Sequence, residues 1–123
     1  MTDQSTRDKG RGGEDLALAH LQKKGYVILE RNYRCRYGEI DLIAKDGPTM
    51  VFVEVKSRRS NIFGSPEEAV GIAKQKKLST VALYYLMEKH LDDRCARFDV
   101  VTVMTAEEKP EIRIIRDAFD LIR

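Results

Sequence analysis

Two apolar, strand-like segments, residues 39–44 and 50–56, lie on either side of an Asp-Gly-Pro sequence at residues 46–48. Segments of this kind, separated by a glycine–proline turn, predict two strands joined as an antiparallel hairpin. If the turn is symmetric about its glycine–proline bond, residues that face each other have numbers that sum to 95. Asp41 and Glu54 have this sum, so their Cβ atoms are predicted to lie roughly 4.5–5.5 Å apart on one face of the sheet.

Facing carboxylates destabilise a strand pair, so this arrangement calls for a physical reason. Lys56 follows Glu54 by two residues and therefore points to the same side of the strand. A divalent cation, Mg²⁺ or Mn²⁺, bound by Asp41 and Glu54 would remove the repulsion. A lysine beside it can position a water and offset phosphate charge, which together suits phosphodiester hydrolysis. A solvated ion-pair trio of Asp41 or Glu54 with Lys56 explains the spacing equally well.

Residues 14–24 are predicted to form a helix that ends at Gly25. Glu14 lies on the same helical stripe as Ala17 and Leu21, so its side chain should point toward the body of the domain. Because a buried, unpaired carboxylate is costly, Glu14 is a candidate for a further ligand or water contact in the acidic site. The alternative is that Glu14 only interacts with the positive end of its helix.

The remaining elements follow the same kind of pattern. They are a strand from Tyr26 to about Tyr33, a capping-box turn at residues 65–68, a helix from about Ala73 to His90, strands at residues 97–103 and 112–115, and a terminal turn or helix containing Ala118 and Phe119. The predicted class is α/β (α+β), with a mixed sheet flanked by helices in the order α-β-β-β-α-β-β. Residues 1–123 are expected to form one domain, with residues 1–13 flexible.

The composition limits the function classes that need to be considered. Apolar residues make up 42% and charged residues 34% of the chain, which is typical of a globular protein. No apolar run approaches the roughly 20 residues of a membrane span, and the polar N-terminus does not resemble a secretory signal. Cys35 and Cys95 lack metal-ligand spacing, so reduced thiols and a cytoplasmic location are expected, with no membrane partner and no small-molecule cofactor.

The net charge of +2 does not by itself indicate a polyanionic partner, so the distribution of charge matters more. Basic residues form three clusters: Arg31, Arg34 and Arg36; Lys56, Arg58 and Arg59; Lys74, Lys76 and Lys77. Each cluster taken alone is better explained by solvated surface. Three clusters flanking one acidic centre are less easily explained in that way and make contacts with phosphates worth considering.

Two motifs stand out in the predicted hairpin, GEIDLI at residues 38–43 and VFVEVKSR at residues 51–58. In these motifs, and over nearly the whole chain, the sequence resembles the YraN-type family of small bacterial proteins. That family is assigned to the restriction-endonuclease-like PD-(D/E)xK superfamily, akin to archaeal Holliday-junction resolvases. The resemblance implies a restriction-endonuclease-like sheet. Ile40 departs from the proline in the superfamily's name.

The resemblance also implies roles for individual residues. Asp41 corresponds to the motif aspartate, Glu54 and Lys56 to the ExK pair, and Glu14 to the acidic residue of the first helix. The backbone carbonyl of Val55 would add a metal ligand. Lys74 and Gln75 lie where related nucleases place a further polar residue on the following helix.

The resulting hypothesis is a Mg²⁺- or Mn²⁺-dependent endonuclease that acts on branched or otherwise non-B-form DNA. Phosphates would be contacted by Arg31, Arg34, Arg36, Arg58, Arg59, Lys74 and Gln75. A two-fold homodimer would suit a symmetric junction. The alternatives are an accessory module that binds nucleic acid without cutting it, and an RNA nuclease with the same site. Tyr84 and Tyr85 are candidates for base stacking, although helical spacing favours Tyr85 in the core.

Overall fold

The computed structural model describes residues 2–58, 70–105 and 109–122, with side chains from Gly12 onward. Its elements are α1 (Thr2–Lys23), β1 (Val27–Cys35), β2 (Gly38–Asp46), β3 (Thr49–Arg58), α2 (Ile72–Glu88), β4 (Ala96–Met104) and β5 (Glu111–Phe119). The predicted mixed class and the order α-β-β-β-α-β-β are confirmed. The expected capping-box turn at residues 65–68 lies outside the described residues. Within the described part of the chain, no helix combines the length and apolar character needed to cross a membrane.

The five strands form one sheet in the order β1-β2-β3-β4-β5. All neighbours are antiparallel except β3 and β4, which run parallel because α2 provides the crossover between them. The β2–β3 hairpin has the predicted register, from Asp46↔Thr49 to Leu42↔Val53. Gly47 occupies the left-handed region in its turn, with φ of 60°.

Both faces of β3 are buried, as its near-continuous apolar sequence requires. Phe52 points to the α2 side, where it packs with Val81 of α2. Val53 points to the α1 side, where it packs with Ala17 and Leu21. Because side chains alternate along a strand, the positions two and four residues after Phe52 also face the α2 side. The chemistry predicted for the end of β3 therefore lies under α2.

Two element boundaries differ from the sequence prediction. Helix α1 begins at Thr2 rather than at Glu14, so it runs through glycines that each cost about 1 kcal/mol relative to alanine. The buried Gly13 has a packing role, because a Cβ there would collide with Oγ of Ser57 on β3. Strand β5 includes the segment expected as a terminal turn or helix, and its Phe119 stacks on Phe98 with ring centroids 4.5 Å apart. The flexibility expected of residues 1–13 remains a prediction.

A buried polar network near the β2–β3 turn ties together β2, β4, β5 and Tyr26, the residue just before β1. Asp99 on β4 is fully buried and accepts hydrogen bonds from Tyr26 Oη at 2.7 Å, Arg97 Nε at 3.0 Å and the backbone N–H of Asp117 at 2.9 Å. Arg97 also donates to Asp46 Oδ2 at 2.8 Å. Burial and the adjacent Asp99 raise the pKa of Tyr26, which keeps its hydroxyl protonated. The Asp99 carboxylate is thus satisfied by several donors, as a buried charge must be.

Candidate active site

Asp41 lies where β2 separates from β3. The paired stretch ends at Leu42↔Val53, and the next donor on β3, the backbone N–H of Val55, donates to Asp41 Oδ2 at 2.8 Å. The pleat is also interrupted there, since Ile40 packs on the α2 side whereas Leu42 packs on the α1 side. The carboxylate of Asp41 therefore takes a place that a backbone acceptor would fill in a regular ladder.

Glu54 follows Phe52 by two residues on the same face of β3, and its side chain lies between two lysines. Its side chain is only 11% exposed, and its Oε1 lies 2.6 Å from Lys74 Nζ and 3.4 Å from Lys56 Nζ. Lys56 is the partner that the strand spacing predicted. Lys74, which was expected only to contact nucleic acid, reaches in from α2 and lies at the centre of the site.

The carboxyl and ammonium groups perturb one another. Burial and then the nearby Glu54 and Glu14 raise the pKa of Asp41 to about 6. Burial, together with the adjacent Lys74, lowers the pKa of Lys56. Partial burial works to lower the pKa of Lys74, but the bonds with Glu54 and Lys56 and the negative charges of Glu54 and Asp41 together raise it. Asp41 is thus held near carboxylates in a place that favours an additional positive charge.

Glu14 approaches this site from α1. Its negative charge contributes to the raised pKa of Asp41. Its side chain is 19% exposed and lies 3.8 Å from Arg31 Nε. The role of Glu14 as a further ligand in the acidic site stays a prediction. Arg31 also binds Asp15 of α1. Its guanidinium is therefore directed toward α1 and neutralises acidic groups of that helix.

A cleft of about 670 Å³ opens over the acidic pair. It is lined by Arg34, Cys35, Gly38, Glu39, Asp41, Glu54, Lys74, Lys77 and Leu78. Arg34 is exposed at its rim and pairs with Glu39 at 3.0 Å. Lys77, a member of the third basic cluster, follows Lys74 by three residues and so shares its helix face. The cleft combines an acidic floor with basic walls.

The other predicted phosphate contacts are dispersed. Arg36 donates to Tyr37 Oη at 2.6 Å in the β1–β2 turn, and the exposed Arg58 donates to the carbonyl of Ser57. Gln75 Nε2 donates to the carbonyl of Val70 at 2.9 Å, which fixes the chain entering α2. Arg59 lies outside the described residues. Of the seven predicted contacts, the structure brings Arg34 and Lys74 to the cleft.

The described residues contain no group of three or more His, Cys, Asp or Glu side chains arranged to hold a metal. Mg²⁺ nevertheless commonly binds through one or two carboxylates, with waters and substrate phosphates completing its shell. Asp41 and Glu54 supply two such carboxylates. The pKa of Asp41 is raised to about 6, so the negative form of this carboxyl is disfavoured in its surroundings. A bound cation would stabilise that negative form. The donor set therefore fits a hard divalent cation.

Comparison with known proteins places this site in a family. The model described as "Uncharacterised protein family UPF0102" matches residues 13–103, which include every residue of the acidic site. The chain belongs to the UPF0102 family. This is the YraN-type family that the sequence resembles, so the family expectation is confirmed.

Relatives in the UPF0102 family match over most of their length. A UPF0102 protein of Syntrophus aciditrophicus is 56% identical over 112 residues, which cover 91% of this chain and 88% of the relative. One from Geobacter metallireducens is 48% identical over 91% of this chain and 92% of its own length. One from Caldicellulosiruptor saccharolyticus is 47% identical over 92% of this chain and 98% of its own.

Replacing Asp41 with asparagine is expected to stabilise the protein at neutral pH when no divalent metal is added. The folded-state pKa of Asp41, about 6, is higher than the unfolded value of about 3.9. Ionisation therefore costs stability as the pH rises from about 4 through 6, and Asp41→Asn avoids this cost while its amide oxygen still accepts from Val55. We expect a gain of about 1–3 kcal/mol near pH 7.5 that vanishes near pH 4.

Urea unfolding in chelator at the two pH values measures this difference. Glu39→Gln is the matched control, because Glu39 is an exposed carboxylate on the same strand. A gain that does not depend on pH, or a loss of stability near pH 7.5, would contradict the assigned environment of Asp41.

Proposed function

We propose that this protein is a divalent-metal-dependent endonuclease of the PD-(D/E)xK type that hydrolyses phosphodiester bonds in DNA. The observation that carries the proposal is the acidic site itself. Asp41, with a pKa of about 6, lies next to Glu54 at the point where two strands separate, and Lys56 and Lys74 both reach Glu54. Among the described residues Asp41 has no ion-pair partner within 4.0 Å, so an ion-pair network accounts for Glu54 but not for Asp41.

The residues divide the chemical work among them. Asp41, Glu54 and the backbone carbonyl of Val55 would hold Mg²⁺ or Mn²⁺, which supplies charge stabilisation to a phosphate undergoing attack. Lys56, whose pKa is lowered by burial, is suited to position the attacking water and to accept its proton. Lys74 lies within reach of the same phosphate and can neutralise its charge. Glu14 adds negative charge beside Asp41.

The cleft walls carry Arg34, Lys74 and Lys77, basic side chains that can contact the phosphates of a nucleic acid without reading its sequence. The choice of DNA over RNA follows from the resemblance to Holliday-junction resolvases. The alternative is a nucleic-acid-binding module without catalysis. It is favoured by the 2.6 Å bond between Lys74 and Glu54, which neutralises Glu54 without a metal. The two functions differ in one observable property, which is whether bound DNA is cut.

The test uses labelled four-way junction, flap, single-stranded and linear duplex DNA, each with Mg²⁺, Mn²⁺ or chelator. We expect metal-dependent cutting, with branched forms cut faster than linear duplex. RNA copies of the same substrates, assayed at matched salt, test the choice of polymer, since affinity depends steeply on salt. Binding without cutting in either metal would support the accessory module, and faster cutting of RNA would make the protein a ribonuclease.

A further inference from the structure

A pair of aromatic side chains, the exposed Tyr37 and the half-buried Tyr84, lies beside the cleft. Tyr37, in the two-residue turn between β1 and β2, meets Tyr84 of α2 edge to face, with ring centroids 5.5 Å apart. Tyr37 is 38% exposed. The guanidinium of Arg36 lies 4.9 Å from the centre of the Tyr37 ring. These three side chains form a cation–aromatic surface, which we call the turn platform.

The turn platform is continuous with the cleft. Cys35 and Gly38, the residues on either side of the turn, both line the cleft. At Gly38 the turn lies close to α2, because an added Cβ would be 3.1 Å from Lys77 Cε and 3.2 Å from Val81 Cγ2. Lys77 lines the cleft, and Tyr84 lies two helical turns further along the same face of α2. The basic wall of the cleft therefore leads directly to the aromatic pair.

Neither Tyr37 nor Tyr84 is among the buried residues of the hydrophobic core. Tyr85, the neighbour of Tyr84, is 3% exposed and packs edge-on against Tyr33 and Phe52, so the predicted core role of Tyr85 is confirmed. The hydroxyl of Tyr84 is held by Glu88, which raises the pKa of Tyr84 and leaves the ring uncharged. Uncharged aromatic rings next to a guanidinium are what a nucleobase stacks on.

We propose that the turn platform stacks an unpaired base of the substrate next to the catalytic cleft. Bases within a duplex already stack on each other, so only a single-stranded or frayed nucleotide can use Tyr37 and Tyr84. Lys77, between the platform and the acidic site, would hold the connecting phosphate. The substrate class is then DNA in which an unpaired segment adjoins a duplex, such as a flap or an opened junction. This inference rests on the proposed function for the identity of the substrate, whereas the binding itself needs no cutting.

The test measures equilibrium binding in chelator, so that cutting cannot interfere. Wild type is compared with Tyr37→Leu, Tyr84→Leu and the double variant on a flap and on a blunt duplex of equal length. We expect the double variant to lose flap affinity by about fivefold or more, as the loss of base stacking implies, with blunt-duplex affinity unchanged. Tyr84→Phe keeps the ring and should bind as wild type does. Thermal unfolding checks that each variant is folded.

A second measurement needs no variant. A flap carrying 5-iododeoxyuridine at its first unpaired position should crosslink to Tyr37 or Tyr84 on irradiation. Equal affinity losses for flap and blunt duplex, or crosslinks that map only to other residues, would overturn the turn platform. If the platform failed while wild type still cut DNA with metal, the proposed function would stand. Flap-specific binding without cutting in any metal would retain the platform and refute the nuclease.

Discussion

Asp41→Ala is expected to reduce metal-dependent cleavage by about 10²–10³-fold or more, the scale of losing one preorganised electrostatic group. DNA affinity should stay close to that of wild type, because affinity comes mainly from basic residues that contact phosphates. Asp41 contributes negative charge and accepts from Val55, so it has no favourable contact with phosphate to lose. Single-turnover cleavage and equilibrium binding on the same substrate separate the two effects.

Glu39→Ala is the matched control for this variant. Glu39 lines the same cleft two residues earlier on β2, but its side chain is 60% exposed and pairs with Arg34. We expect Glu39→Ala to cut nearly as fast as wild type. Lys56→Ala should lose cleavage as Asp41→Ala does, with a small loss of affinity. Wild-type rates in Asp41→Ala, or equal losses in Asp41→Ala and Glu39→Ala, would exclude Asp41 from the active site.

Asp99→Ala is expected to lower the free energy of unfolding by about 3–5 kcal/mol, the usual cost of removing one partner from a buried ion pair. The substitution leaves the Tyr26 hydroxyl, the Arg97 guanidinium and the Asp117 N–H without their shared acceptor. Asp99→Asn retains one acceptor oxygen and should lose less stability. Both values can be measured by urea unfolding near neutral pH.

The more exposed end of the same network supplies a control. Asp46 is 34% exposed and bonds only the far end of Arg97 within this network. We therefore expect Asp46→Ala to cost about 1 kcal/mol or less, as partly exposed ion pairs do. A loss for Asp99→Ala no larger than that for Asp46→Ala would contradict the structural role assigned to Asp99.

Local patterns in the sequence were sufficient to predict the hairpin that carries the acidic site. The turn residues and the period-2 pattern determine its register as far as Leu42↔Val53. The sequence pattern did not reveal that β2 leaves β3 at the next step, where Asp41 bonds the N–H of Val55. That departure accompanies a change of packing side, since Ile40 packs on the α2 side and Leu42 on the α1 side, which is a tertiary property. Asp41 and Glu54, which were expected to face each other in a regular ladder, therefore lie just beyond the regular pairing of β2 and β3.

Residues that meet only through tertiary structure were harder to predict. Lys74 reaches Glu54 across 20 positions, and Tyr26 reaches Asp99 across 73. No spacing rule connects such pairs. Arg31 shows a second difficulty. Its place in a basic cluster suggested a phosphate contact, and the structure pairs its guanidinium with Glu14, so the phosphate contact stays a prediction. Basic clusters in a sequence cannot distinguish intramolecular partners from a ligand.

The central claim is that the Asp41–Glu54 site cuts DNA with a divalent metal. The most direct measurement compares wild type with Glu54→Ala, purified side by side, on a labelled four-way junction and a flap. We expect wild type to cut with Mg²⁺ or Mn²⁺, to stop in chelator and to resume when metal is restored, while Glu54→Ala cuts under none of these conditions. Equal cutting by the two proteins, or no cutting by wild type with either metal, would contradict the claim.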